Sequence, residues 1–352
     1  MSIEKIDRNL EIKRTVTEPD VVWHNVTEEV FDIYGLYDPK NGGPFIRLPE
    51  EVGANVNQGV SGLLHHTAGG RIRFRTDSPY IALRVTYRML GKMSHMTLAG
   101  QAGFDAYIYK DGQYSFFKNA MPTYDDDHGY ERVFGKKNKG MNDFVIHMPL
   151  YNGVNELYIG VAEGSRLEHG SLYRDIKPVA YYGSSITQGG CASRPGNAYE
   201  NMISMMYDID HINLGFSGNC RGELAMADYI ASLDLSVFVL DYDHNAPSDE
   251  HLEQTHFAFY ERYRSLRPDT PIVIVSAPDV PPTGKRRRTE IIRETYEKAI
   301  ALGDKKVSFV DGATLFGDDL RESCTVDGCH PNDLGFYRMA KGIGAAVAEW
   351  LK

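Results

Sequence analysis

Residues 179–190 read VAYYGSSITQGG: an unbroken apolar run enters, without a spacer, a loop made of Gly, Ser, Thr and Gln. A continuous apolar run suits a strand covered on both faces, whereas a strand with one wet face alternates. Four further runs of this kind follow, at 212–214, 237–240, 272–275 and 307–310. Amphipathic stretches separate them. Ile292, Tyr296 and Ala299 fall on one helical face, and Ile343, Ala346, Val347 and Trp350 on another. Ser248, with Pro247 before it and Asp249 and Glu250 after it, reads as a helix N-cap with acids in the first turn. Five βα units predict an α/β fold with a doubly wound parallel sheet, flavodoxin-like.

Toward the N-terminus the period changes to two. Ile72 and Phe74 flank Arg73, and Ile81, Leu83, Val85 and Tyr87 follow at every second position after the turn Asp77-Ser78-Pro79. Residues 106–109 run into the turn Lys110-Asp111-Gly112. Residues 144–150 are followed by Asn152-Gly153 and then by Leu157, Ile159 and Val161. Asn-Gly between two such runs predicts a hairpin, because a type I′ turn needs positive φ at both central residues. This half is expected to be an antiparallel β-sandwich, jelly-roll-like, over residues 1–175, ahead of an α/β domain over 176–352.

An open α/β sheet takes its ligand beyond the carboxyl ends of its strands. Polar, glycine-punctuated loops follow the first, second, third and fifth of the C-terminal strands, at 183–190, 215–219, 241–245 and 327–332. A serine hydroxyl needs an adjacent base, and His330 is the candidate for Ser185. The imidazole needs a partner that fixes its tautomer, and Asp327 lies three residues before it. An oxyanion needs converging donors, which the backbone N–H groups of Ser185 and Gly218 and the side-chain amide of Asn245 can supply. A Gly-Ser-Ser turn alone is an ordinary turn; three roles filled together point to catalysis. The loop is not Gly-x-Ser-x-Gly, since Thr187 stands at the last position.

Ser185, Gly218, Asn245 and His330 resemble, in order and strand context, the four residues that name the SGNH (GDSL-like) hydrolases. GSSITQGGCASRPG and DGCHPNDLGFYRMA are similar to a subgroup with an N-terminal β-domain marked GxDLY, and residues 103–107 read Gly-Phe-Asp-Ala-Tyr, with Ala106 in place of Leu. The resemblance implies an α/β/α catalytic domain and an acyl-enzyme mechanism without metal or cofactor. It also implies hydrolysis of short acyl esters, acetyl above all, on carbohydrate or a related small molecule. The chain departs from the family twice. Gly183-Ser184-Ser185 replaces G-D-S, and Asp243-His244-Asn245-Ala246 keeps only the asparagine of the third block.

Composition narrows the remaining readings. Of 352 residues, 42% are hydrophobic and 24% charged, as in a globular protein with a core, and the formal net charge is −10. A nucleic-acid or anionic-membrane partner needs concentrated positive charge, which argues against both. The basic run at 285–288 reads as a solvated helix entrance. The first sixteen residues mix charges and hold no apolar h-region, so the chain as written is expected to be cytoplasmic, or secreted or periplasmic if a leader was removed. Cys191, Cys220, Cys324 and Cys329 match no zinc spacing; they are expected to be reduced, with a Cys324–Cys329 bridge the other option. Asp105 and Tyr107 read as structural strand residues, His65-His66 as a loop or strand pair, and Arg194 as either an anion hook or a surface ion pair. Three other activities compete with the esterase. One is a metal phosphoesterase built on Asp241, Asp243, Asp327 and His330. Another is a carbohydrate-binding protein whose α/β half is idle, and the third is an acyltransferase on the same triad.

Overall fold

Alternating residues of the N-terminal half build two antiparallel sheets that share one core. The computed structural model describes residues 15–41, 43–136, 140–278 and 286–351; most of the charged N-terminal stretch, and Lys285, lie outside these. One sheet orders β1 (Val21–Asn25), β9 (Val154–Ala162), β4 (Tyr80–Tyr87) and β7 (Gly129–Lys136) side by side. The other orders β10 (Leu167–His169), β3 (Arg71–Thr76), β8 (Asn142–His147), β5 (Phe104–Lys110) and β6 (Gln113–Ala120), with β2 (Asp32–Tyr34) also paired to β3. Ile81, Leu83 and Val85 of the first sheet meet Ile72, Phe74, Phe144 and Ile146 of the second in one buried cluster. That is the inward face that period-two patterning specifies.

The turn Lys110-Asp111-Gly112 closes a true hairpin, with Lys110 opposite Gln113 and positive φ at Asp111 and Gly112. The hairpin expected at Asn152-Gly153 does not form. β8 pairs with β3 and β5, and β9 with β1 and β4, so the connection crosses from one sheet to the other. Asn152 is buried, donating to the carbonyls of Gly91 and Gln101 and accepting the N–H of Gly91. A Cβ at Gly153 would lie 2.9 Å from the carbonyl oxygen of His65. An amide that ties down a neighbouring loop, and a backbone too crowded for a side chain, select the same two residue types as a type I′ turn.

Among the described residues, three short helices interrupt the sandwich: α1 (Glu50–Val56), α2 (Gln58–Leu63) and α3 (Leu98–Ala102). The first two place Val52, Val56, Val60 and Leu63 on the core of the C-terminal half, not on the sandwich. That half holds the expected sheet of five parallel strands: β11 (Val179–Gly183), β12 (His211–Gly215), β13 (Val237–Asp241), β14 (Ile272–Val275) and β15 (Val307–Val310). Their spatial order, β12-β11-β13-β14-β15, is the flavodoxin-like order 2-1-3-4-5. After β11 comes the single-turn helix α4 (Ser185–Gln188), followed along the chain by α5 (Tyr199–Tyr207), α6 (Leu224–Ser232), α7 (Asp249–Leu266), α8 (Arg287–Ala301) and α9 (Asp333–Ala348). Ala180, Tyr182, Phe238, Leu240 and Ile274 pack with α6, α7 and α8 on one face. Val179, Tyr181, Val239 and Val275 pack with α5 and α9 on the other. Continuous apolar strands are thus covered twice. Ser248 caps α7 by accepting the N–H of His251, and Arg286 to Arg288 open α8.

Candidate active site

The central strands end level. Gly183 stands opposite Gly215 on one side and Asp241 on the other, so the three loops leave the sheet from one edge. Ser185, Gly218 and Asn245 follow those ends by two, three and four residues. The register therefore does what the sequence reading requires, setting three short loops side by side.

The two adjacent serines have different partners. Ser184 Oγ accepts the N–H of Ile186 at 3.1 Å and caps α4. Ser185 Oγ lies 2.9 Å from Nε2 of His330. Both serines are largely buried, yet only the second meets an imidazole. Gly183 lets α4 start directly on the strand end. A Cβ there would fall 1.9 Å from Thr187 Oγ1 and 2.7 Å from the carbonyl oxygen of Asp241.

His330 sits in a tight loop organised by one carboxylate. Asp327 Oδ1 accepts the backbone N–H of Cys329 at 3.0 Å and of His330 at 2.7 Å, while Oδ2 lies 2.7 Å from His330 Nδ1. Partial burial works to raise the pKa of Asp327, but the His330 backbone and ring and the Cys329 N–H together outweigh it and hold the carboxyl at about 2. The group that faces the ring is thus an anion throughout the neutral range. That arrangement fixes Nδ1–H toward Asp327 and leaves Nε2 as the acceptor for the serine proton.

The loop after β12 is braced from three sides. Gln188 Oε1 accepts the N–H of Ser217 at 3.0 Å, Asn57 donates to the carbonyl of Asn219 at 3.2 Å, and Asn245 Oδ1 accepts the N–H of Cys220 at 3.4 Å. Gly218 has φ +72 there, and a Cβ on it would meet nothing within 4 Å. Glycine is needed at this position for the left-handed backbone, not for space. With its oxygen engaged, Asn245 has its amide N–H₂ left as the group it can offer an anion.

Some contacts had no local signal in the sequence. The Tyr151 hydroxyl donates to the carbonyl of Ser185 at 2.9 Å, and His66 meets the Gln188 amide at 2.9 Å. The ring of His95 stands 6.1 Å from that of His330. These residues belong to connections of the N-terminal half, and only the tertiary fold brings them to the loops of Ser185 and His330. Gln188 lies within the quoted loop, and its closeness to Ser185 was the one clue available. Burial, its largest influence, lowers the pKa of His66 to about 3 and keeps that ring neutral.

The carboxylates of the metal alternative are engaged separately. Asp241 Oδ2 accepts the hydroxyls of Thr187 and Tyr199, Asp243 accepts the N–H of Ala277, and Asp327 faces His330. Among the described residues, no three His, Cys, Asp or Glu side chains gather as an ion would require. Burial pushes the pKa of Asp241 up to about 7, against the two hydroxyl donors that lower it. Arg194 is paired with Asp105, so it is not an unengaged hook for an anion. All four cysteines are free thiols. Among the described residues, no helix is long and apolar enough to cross a membrane.

Comparison with known proteins matches each half of the chain to a family. A family model described as GDSL-like lipase/acylhydrolase matches residues 176–347, and one described as the GxDLY N-terminus of SGNH-hydrolase-type esterases matches residues 21–167. No curated protein matches the chain. Among solved structures, it is similar to a protein of Bacteroides ovatus ATCC 8483 described as GDSL-like lipase. That pair shares 29% identity and a TM-score of 0.84, over 94% of this chain and 98% of that one. A salicylyl-acyltransferase from a tetracycline biosynthetic pathway shares the fold at 20% identity and TM-score 0.75, over 95% and 99% of the two chains. An acetyl xylan esterase from the rumen bacterium Butyrivibrio proteoclasticus does so at 12% identity and TM-score 0.57, over 94% and 100%.

Proposed function

We propose a serine esterase acting on short acyl esters, from the premise that the chain belongs to the GDSL-like lipase/acylhydrolase family with a GxDLY-type N-terminal domain and is a carboxylic ester hydrolase. The observation that carries the proposal is the hydrogen-bonded line from Ser185 through His330 to Asp327 at the edge where the strands end. In this reading Ser185 Oγ attacks the ester carbonyl while His330 Nε2 takes its proton. Asp327 holds the imidazolium that forms. The tetrahedral oxyanion is met by the N–H groups of Ser185 and Gly218 and by the Asn245 amide. Collapse expels the alcohol, which receives the proton from His330. Water, deprotonated by the same ring, then releases the acid from the acyl-enzyme.

The substrate we favour is an acetyl or similarly short ester on carbohydrate. Carbohydrate esterases among the fold neighbours support that class. We also read residues 1–175 and 176–352 as the two domains, and the first as a jelly roll. In its support, the strand orders β1-β9-β4-β7 and β3-β8-β5-β6 interleave as two Greek keys do. An acyltransferase shares the fold, which keeps acyl transfer as a second reading in which an alcohol replaces water.

The test is hydrolysis of p-nitrophenyl acetate by the wild type and by Ser185→Ala, with and without EDTA, and with added glycerol as an acyl acceptor. Turnover that persists in EDTA and collapses in the variant is the expected result. Loss with EDTA would favour the carboxylate–metal reading. Glyceryl acetate as the main product would favour transfer over hydrolysis.

A further inference from the structure

The aspartate of the GxDLY-like segment bonds to the loop that follows the nucleophile, and two of its three partners are on that loop. Asp105 stands on β5 and is completely buried. A buried carboxylate is costly unless its oxygens are paired. Here the Gly196 N–H lies within reach of both oxygens, at 3.1 and 2.9 Å. Arg194 Nη1 donates to Oδ2 at 2.7 Å, and His147, its cross-strand partner on β8, lies 3.1 Å from Oδ1. Arg194 is also held by the Tyr107 hydroxyl, and its guanidinium lies 4.2 Å from the centre of the Phe116 ring. Two of the three groups on this carboxylate thus come from residues 194–196, in the C-terminal half.

The opposite edge of the same segment is fixed to the loop that carries His330. The Cys191 N–H donates to the carbonyl of Pro331 at 2.9 Å. Ser193 donates its N–H and its hydroxyl to the two oxygens of Asp333, at 2.9 and 2.5 Å. Thr97, the N-cap of α3, donates to the carbonyl of Ser193. Residues 191–196 therefore form a strap that starts just past α4, which bears Ser185. It is pinned to Pro331 and Asp333 beside His330, and it is anchored in the sandwich by Asp105. Ser185 and His330 lie on segments 145 residues apart, and this strap is a short mechanical link between them.

We propose that Asp105 is a positioning residue for the Ser185–His330 pair: its carboxylate fixes the strap through Arg194 and Gly196 and thereby sets the distance between nucleophile and base. The inference rests on the esterase reading. It makes the sandwich part of the catalytic apparatus through a charged contact that never meets substrate. A misplacement of about 1 Å at a reacting pair can cost on the order of 100-fold in rate.

The experiment compares wild type, Asp105→Asn, Arg194→Gln, Arg194→Lys and Ile72→Val, the last a change in the sandwich core, which includes none of the strap's residues. Each is assayed with p-nitrophenyl acetate. Values of kcat are expressed per serine titrated by a fluorophosphonate, so unfolded protein does not count. Asp105→Asn and Arg194→Gln are expected to lower kcat by roughly 10- to 100-fold with KM changed less than about threefold, and to slow fluorophosphonate labelling by a similar factor. Arg194→Lys should recover part of the loss, and Ile72→Val should keep full kcat per site while unfolding at lower temperature. Asp105→Asn within about twofold of wild type per titrated serine would overturn the proposal, as would an equal loss in Ile72→Val. If Asp105→Asn does not fold, the two Arg194 variants decide by the same criteria. A wild type that neither turns over nor labels would instead refute the esterase reading itself.

Discussion

Ser185 and Ser184 differ by one position and by their partners, and that difference is the residue-scale content of the site. Ser184 spends its hydroxyl on the α4 cap, whereas Ser185 meets His330. Ser184→Ala is expected to cost about 1 kcal/mol of stability, as lost caps do, and to leave turnover measurable, while Ser185→Ala abolishes it. Asp327→Asn should keep the fold and lower kcat by about 10³–10⁴-fold, because the amide can no longer fix the ring tautomer. Steady-state kinetics with p-nitrophenyl acetate checks both, and Asp327→Asn within tenfold of wild type would remove Asp327 from the mechanism. Gly218→Ala should cost about 1–2 kcal/mol for its positive φ, with no clash to add; a urea melt reads it. The grouping of Ser185, His330 and Asp327 was legible in the sequence because each lies in a short polar loop directly after an apolar strand or before a helix. Tyr151 and His95 were not, since nothing local marks a tyrosine or histidine that reaches the site from the other half of the chain.

At the scale of elements, strands were readable wherever pattern and covering agreed. The five continuous runs became β11 to β15, and the alternating ones became sandwich strands. Asn152-Gly153 misled because the physical demand there is a buried amide and a crowded backbone, and those demands share a vocabulary with tight turns. Helices α1 and α2 were missed since their apolar faces serve the core of the other half. Asp241, at the end of β13, gives this scale its pH prediction. Its folded pKa of about 7 lies above the ordinary carboxylate value, so folded protein keeps a proton that the unfolded chain gives up. The associated stability is complete below about pH 4 and is lost as pH rises toward 7, at up to about 1.4 kcal/mol per pH unit. Asp241→Asn should therefore gain stability over wild type between pH 5 and pH 7.5. Urea midpoints at the two pH values test this, and a difference that stays constant would contradict it.

At the scale of the whole molecule, the N-terminal half braces the α/β sheet. Arg47, fully buried, donates to the carbonyls of Asn213 and Gly215 on β12 and of Leu63. Arg71 pairs with Asp210 and lies against His211. A chain beginning at residue 176 would leave the Asn213 and Gly215 carbonyls and the α1–α2 docking face open to water. It is expected to be poorly folded, and a cooperative thermal transition matching the full-length protein's would contradict that expectation. The division into an alternating half and a βα half was visible in the sequence, but this interlocking was not, because buried arginines read as surface charge until their partners are known. In the proposed mechanism the reacting group is the Ser185 hydroxyl. Wild type exposed to a fluorophosphonate and mapped by peptide mass spectrometry should carry a single adduct on Ser185, with labelling lost in Ser185→Ala and strongly slowed in His330→Ala. An adduct on Ser184, or an active enzyme that carries none, would contradict the mechanism.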